Sequence, residues 1–221
     1  MKPILYRNLI LLKPYLIYIL VMILALPVTM ILPFNNYIKI FLLGMLMFLL
    51  HVVTLAFPYY IYLRINKNKS EMNFLSYPIT QITTVNMHYL TAIILILINS
   101  VTIGLYNLVA LMYAASDMDV VINMSGILTN VAANLFTISL ILPLCDFKRF
   151  LKIPLVIWII LIGFILPSIV PYTDKLLNKL SIQTNVFTNY GDEIFVSISI
   201  ILFIITYVIA ISKARKGEIT I

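Results

Sequence analysis

Few side chains in this sequence are of a type and spacing that could carry out chemistry. His51 stands alone in a long apolar stretch, where it could pass protons, and Asp146, Lys148 and Arg149 form a charged cluster that could supply an acid and a base. A single histidine among apolar residues more often bonds to a neighbouring helix, and such a cluster is more often a solvated turn. We therefore keep His51 as a candidate polar site and predict no catalytic residue.

The sequence also lacks the common motifs for nucleotides, metals and covalent intermediates. It contains no G-x-x-x-x-G-K-[ST] segment, no H-E-x-x-H and no G-x-S-x-G. Cys145 is the single cysteine, which excludes a disulfide within the chain and a cysteine-rich metal site. We predict that the chain itself binds no metal and no cofactor.

The composition shows which elements must position the polar residues. The chain has 221 residues, of which 62% are hydrophobic and 10% are charged, and its mean hydropathy is +1.07. Soluble domains are about 45–50% apolar and about 25% charged, so the solvent of this chain is lipid. Only helices satisfy the backbone of runs this long in a bilayer. We predict one all-α integral membrane domain over residues 1–221, with six spans at about 15–33, 41–62, 90–115, 120–144, 153–170 and 194–212.

Lysine and arginine are distributed unequally around these spans. Three of them flank one side, namely Lys39, Lys175 and Lys179, and the other twelve flank the opposite side. Short cytoplasmic loops are enriched in Lys and Arg, so both termini are predicted to be cytoplasmic and the protein to lie in the bacterial inner (plasma) membrane. The formal net charge of +7 is then explained by the Lys and Arg residues that flank the spans on the cytoplasmic side. It does not require a nucleic-acid partner, and we predict none. On this topology His51 is an intramembrane polar site.

Uncharged polar residues remain inside the predicted spans. Gly126, Asn130, Asn134 and Thr137 recur at spacings of four, four and three, so they share one helical face. Span three carries amides as well, at positions Asn99 and Asn107. Such residues let helices approach and hydrogen-bond to one another, or they form a polar wall along a substrate pathway or a subunit interface. Both interpretations stay open.

The loop between spans two and three contains a segment that ought to bind something. After Pro78, Ile79, Ile82 and Val85 recur every three residues, and Ser76 is placed to cap a short helix. A helix this short is marginal in water and needs a surface to pack on, either the membrane or a partner protein. The predicted docking residues are Ser76, Pro78, Ile79, Thr80, Gln81, Ile82 and Val85.

The segment LSYPITQITTVNMHYL, residues 75–90, resembles the coupling helix between the second and third spans of type 2 ABC exporter subunits. The residues that match its pattern at unchanged spacing are Ser76, Pro78, Ile79, Thr80, Tyr89 and Leu90. The charged positions of the family helix are replaced here by Gln81, Ile82, Thr83 and His88. Docking would therefore depend more on apolar contacts than on salt bridges.

The resemblance extends along the chain. Residues 3–13, with Arg7 and Lys13 among Leu and Ile, are predicted to form an interfacial helix, although a simple extension of span one explains them equally well. Residues 171–192 correspond to the outer helical excursion of the family between spans five and six. The chain looks most like the small six-span subunits of staphylococcal-type peptide exporters, such as those that export phenol-soluble modulins.

The resemblance implies a transmembrane subunit of an ATP-driven exporter. Its partners would be an ABC ATPase subunit docked on residues 75–88, which carries the ATP and Mg²⁺, and a second copy or a related permease subunit. The cargo would be an amphipathic substrate, either a peptide, such as an antimicrobial or cytolytic one, or a lipid. The alternative is a membrane scaffold or immunity protein that binds peptides without transporting them.

Overall fold

The computed structural model of the chain describes residues 2–45, 48–49, 52, 80–113, 124–141, 157, 160, 176–180 and 186–217. Five long helices lie within these ranges: α1 (Lys2–Ile31), α2 (Asn36–Met45), α3 (Gln81–Tyr113), α4 (Met124–Ile141) and α5 (Val186–Arg215). A further helical turn covers 176–179, inside the predicted outer excursion. None of the described residues is in a strand, so the prediction of an all-helical protein is confirmed for this part of the chain.

Two of the described helices contain segments long and apolar enough to cross a membrane. They are Gln81–Val109 in α3 and Glu193–Arg215 in α5, and they contain most of predicted spans three and six. These helices agree with the prediction of a membrane protein. Most of spans 41–62 and 153–170, including His51, lies outside the described residues. The count of six spans and the cytoplasmic termini therefore stay predictions.

Helix α1 is continuous from Lys2 to Ile31, so residues 3–13 form its first turns and not a separate helix. Their position relative to the membrane surface stays a prediction. The 30 residues of α1 reach about 45 Å, which exceeds the hydrocarbon thickness of a bilayer. Pro14 lies within the helix, although it cannot donate the backbone hydrogen bond of an interior position.

The helices associate in two pairs. Helix α1 packs along α3, and α4 packs along α5, whereas the contacts of α3 with α4 and with α5 are sparser. Leu12 of α1 and Ile103 and Tyr106 of α3 are fully buried. Phe136 of α4 and Phe195 of α5 lie in the second pair with ring centroids 5.8 Å apart.

Helix α3 has a mixed buried face and an entirely apolar exposed face. The buried residues follow one another at spacings of three and four: Thr84, His88, Thr91, Leu95, Asn99, Thr102 and Tyr106. The large exposed side chains are Leu90, Ile93, Leu97, Val101, Leu105, Leu108, Leu111 and Met112. A membrane helix arranged in this way turns its polar groups toward the protein and its apolar groups toward lipid.

One buried hydrogen bond joins α1 to α3. The Asn8 side-chain amide donates to Thr91 Oγ1 at 3.1 Å, and both residues are fully buried. The Thr91 hydroxyl in turn donates to the Met87 carbonyl oxygen at 2.6 Å. The Thr91 hydroxyl therefore accepts one hydrogen bond and donates another in a place where both residues are buried away from water.

We predict that Asn8→Leu destabilises the chain by about 0.6–2 kcal/mol, the range measured for hydrogen bonds between membrane helices. Thr91 keeps its bond to Met87, so the loss reports the contact between the helices rather than a stranded hydroxyl. The measurement is reversible unfolding of the purified chain in detergent micelles. A double-mutant cycle with Thr91→Val isolates the pairwise contribution.

Thr91→Ser is the matched control for this cycle, because it keeps the hydroxyl and should retain most of the interaction energy. A coupling energy between Asn8→Leu and Thr91→Val that is zero within error would contradict the assignment.

Candidate docking site

The first turn of α3 lies at the predicted docking segment. Thr80 is the residue that caps it: the Thr83 backbone N–H is 3.3 Å from Thr80 Oγ1, and the Thr80 and Thr83 hydroxyls are 2.8 Å apart. A cap of this type satisfies a backbone donor that has no partner within the helix. Predicted docking residues Ser76, Pro78 and Ile79, including the predicted cap at Ser76, lie outside the described residues.

The remaining predicted docking residues differ in how much of each side chain is exposed. Thr80 is exposed, and Gln81 and Ile82 are half-buried. Val85 is only 6% exposed, so it packs within the chain itself. Sequence spacing placed Ile82 and Val85 on one apolar face, but it could not show that neighbouring helices cover part of that face. Of the predicted docking residues that the structure describes, Thr80, Gln81 and Ile82 are accessible to a partner and Val85 is not.

The first turns of α3 belong to the same continuous helix as predicted span three. Helix α3 runs from Gln81 to Tyr113. We call its first turns, residues 81–91, the docking end, and no break separates them from the apolar segment that follows. A displacement of the docking end would therefore be transmitted along the whole helix, because an α-helix is stiff over this length.

Helix α1 holds one side of the docking end. The guanidinium group of Arg7 donates to Asn8 Oδ1 from Nη2 at 2.9 Å and from Nε at 3.2 Å, while Asn8 bonds to Thr91. His88 is 6% exposed and lies within the electrostatic influence of the Arg7 charge. Ile4, Asn8 and Leu12 recur every four residues along α1 and are all buried.

Helix α5 holds another side. The ring of Tyr89 lies edge-on to Phe203 and to Tyr207, with centroids 5.3 Å and 5.1 Å away. The hydroxyl of Tyr207 donates to Asn86 Oδ1 at 3.0 Å. Residues that rise along α3 meet residues that fall along α5, so the two helices are antiparallel. The first turns of α1 and α3 and the last turns of α5 thus meet at one end of the bundle.

The predicted pathway or interface residues are only partly accessible. Asn99, Asn134 and Thr137 are at most 1% exposed, whereas Asn107 and Asn130 are half-buried. The Asn134 amide donates to Asn130 Oδ1 at 3.0 Å and to the Asn130 carbonyl oxygen at 2.9 Å, and Thr137 donates to the Ala133 carbonyl oxygen at 2.8 Å. Burial of this kind is what packing between helices requires. A role in a pathway or a subunit interface stays a prediction.

Several residues at the docking end were not singled out by the sequence. Asn8, Asn86, Thr91, Phe203 and Tyr207 provide its contacts with α1 and α5. Asn8 could have been singled out from the sequence, because it is an amide among leucines and isoleucines. Nothing in the spacing of Tyr207 distinguishes it from the thirteen other tyrosines of the chain.

The described residues contain no group of three or more His, Cys, Asp or Glu side chains that could hold a metal ion. What this end of the bundle offers is a short, capped helix start with hydroxyl, amide and apolar groups on its accessible side.

A known family accounts for this arrangement. The family model described as ABC-2 family transporter protein matches residues 3–216, which is nearly the whole chain. No curated protein and no solved structure matches the sequence. The helical membrane segments and the family match agree, and the chain belongs to the ABC-2 family of transporter proteins.

Proposed function

We propose that this chain is the transmembrane subunit of an ATP-driven exporter and that its ATPase docks on residues 75–88. Family membership makes it a membrane permease of a transporter with an ABC ATPase partner. The docking position, the outward direction and the cargo are our proposals. The docking position is supported by the attachment of the first turns of α3 to two other helices, and the direction and cargo by the resemblance to peptide exporters and by the uncharged predicted spans.

The energy for transport has to come from another subunit. The sequence has no P-loop to hold nucleotide phosphates, and no acidic or basic residue lies deep in a predicted span to bind a coupling ion. ATP and Mg²⁺ would therefore be held by the ATPase. Its nucleotide-dependent movement would reach this chain as a mechanical displacement of the docked segment.

The contacts of α3 support this route of transmission. Asn8 joins its first turns to α1, and Tyr207 and Phe203 join them to α5. A push on Thr80–Ile82 would consequently act on three helices at once rather than on one loop. Rigid-body movement of packed helices is a common way for membrane transporters to change the side on which a pathway is open.

The complete transporter would contain two such permease chains. Six spans with both termini cytoplasmic form half of a pathway, and a second copy or a related subunit would supply the other half. In the single chain the outward face of α1 exposes large apolar residues, among them Ile17, Leu24 and Ile31. Lipid or the second subunit would cover these side chains.

The cargo proposed is amphipathic. Apolar walls with scattered amides and hydroxyls, such as Asn107 and Asn130, suit an amphipathic peptide or a lipid. A charged sugar or nucleotide would require fixed opposite charges, which the predicted spans lack. The resemblance to staphylococcal-type peptide exporters favours a peptide, with export as the direction.

We predict that replacing Ile79 and Ile82 with Asp weakens association with the ATPase about 100-fold or more. An unpaired carboxylate at an apolar contact carries a desolvation penalty of several kcal/mol. The measurement is binding of the purified chain to its ATPase in mild detergent, together with stimulation of ATP turnover. Membrane insertion should be unaffected, because both positions lie outside the predicted spans.

Ile82→Leu is the matched control and should bind normally, since it keeps the volume and apolar character of the side chain. Normal association and transport in the double Asp variant would contradict docking at residues 75–88.

The identity of the energy source is tested by affinity purification of the chain from native membranes in mild detergent. We expect an ABC ATPase to accompany it in stoichiometric amount, together with a second permease chain. Recovery of the chain without any ATPase, while it still confers resistance to a peptide, would instead support the immunity or scaffold function.

A further inference from the structure

Among the described residues, the two helix pairs meet along a thin seam. Contacts within the pair α1 and α3 and within the pair α4 and α5 are extensive there, whereas α3 meets α4 and α5 through fewer contacts. Packed helices move as units, and relative movement occurs where the packing is sparse. The seam between α3 and α5 is therefore the natural place for the two pairs to separate.

Specific side chains close this seam at the docking end. The ring of Tyr89 packs edge-on against both Phe203 and Tyr207, and the Tyr207 hydroxyl donates to Asn86 Oδ1. Edge-to-face aromatic pairs add directional attraction to the area that they bury. The contacts occupy two successive turns of α3, so they fix its position along α5 as well as its distance.

The hydrogen bonds on the two sides of α3 differ in their surroundings. Asn8 and Thr91 are fully buried, so breaking their bond would strand polar groups away from water. The bond from Tyr207 to Asn86 lies at the surface of the described helices, so it can open without leaving polar groups enclosed within the protein. The contact of α3 with α5 is therefore the easier of the two to open.

We infer that Tyr207 is a positioning residue that holds the seam between α3 and α5 closed at the docking end. With Asn86, Tyr89 and Phe203 it forms an aromatic latch, which opens when the docking turns are displaced. The α1–α3 pair and the α4–α5 pair then move apart as two bodies. The trigger for opening rests on the proposed docking of an ATPase; the latch itself rests on the contacts described here.

The test follows the accessibility of one cysteine in the seam region. Ala210 lies one turn after Tyr207 on α5 and is 1% exposed. In the full-length chain carrying Cys145→Ser and Ala210→Cys, reconstituted in lipid nanodiscs, the rate of alkylation by a soluble maleimide reports how often this region opens.

We expect Tyr207→Phe to raise the alkylation rate about 3- to 10-fold, because it removes one exposed hydrogen bond and keeps the ring. Asn86→Ala should raise the rate by a similar factor. The double variant should be no faster than either single variant, since both remove the same bond.

Tyr190→Phe is the matched control, because it removes a hydroxyl from the same helix at a position that is 60% exposed; it should leave the rate unchanged. A second reporter, Leu12→Cys, lies on α1 and replaces a fully buried side chain on the other side of the bundle from α5 contacts such as Tyr89. If Tyr207→Phe left the Ala210→Cys rate unchanged, or raised both reporters equally, the latch would be refuted, the second result indicating general loosening of the fold.

The isolated chain tests the latch without any ATPase, so the outcome does not depend on the proposed function. In the complex with the ATPase, trapping with ATP and vanadate should raise the rate of the otherwise wild-type reporter to that of Tyr207→Phe. An unchanged rate in a verified complex would refute the link between docking and the latch. Failure to form any complex would refute the proposed docking and leave the result on the isolated chain standing.

Discussion

A polar side chain surrounded by hydrocarbon must find its hydrogen-bond partner inside the protein, and this constraint orders the described helices. Asn8 would be costly in lipid, so it faces α3 and bonds to Thr91. Several serine and threonine side chains instead find a hydrogen-bond partner within their own helix. Thr102, Ser139 and Ser199 donate to the carbonyl oxygen four residues earlier. Among the described residues, Asn8 thus joins two helices directly, whereas these hydroxyl groups are satisfied within their own helix.

The two helix pairs are therefore held together by different kinds of contact. Between α1 and α3 a directional bond sets the register, since an amide and a hydroxyl must meet at one point. Between α4 and α5 the buried hydroxyls of Ser139 and Ser199 are already satisfied, so what remains is close packing with rings such as Phe136 and Phe195. Helix α3 belongs to one pair and touches the other. In the proposed function, force from an ATPase docked on its first turns would therefore reach both pairs.

The sequence predicted the lipid environment and the helical class, because hydropathy and segment length act over short distances along the chain. Docking at residues 75–88 stays a prediction, and the sequence could not show that Val85 turns inward, since its spacing from Ile82 is equally compatible with an exposed apolar face. It also left open whether residues 3–13 form an interfacial helix or extend span one, and α1 continues through Pro14. Packing along α3 is a tertiary effect, and it outweighs the loss of one backbone bond at a proline. The partners of Asn86 and Thr91 lie 121 and 83 residues away, which a local pattern does not encode.

Pro14 has a mechanical consequence as well. It lies two residues after Leu12, which is buried together with Ile4 and Asn8. A helix bends most easily where a backbone hydrogen bond is missing, so α1 is softest near this position. A bend there would let the turns around Asn8, which is bonded to Thr91, change their tilt while the rest of the helix keeps its direction. One imino acid thus gives a long and otherwise stiff helix a place to flex close to its junction with α3.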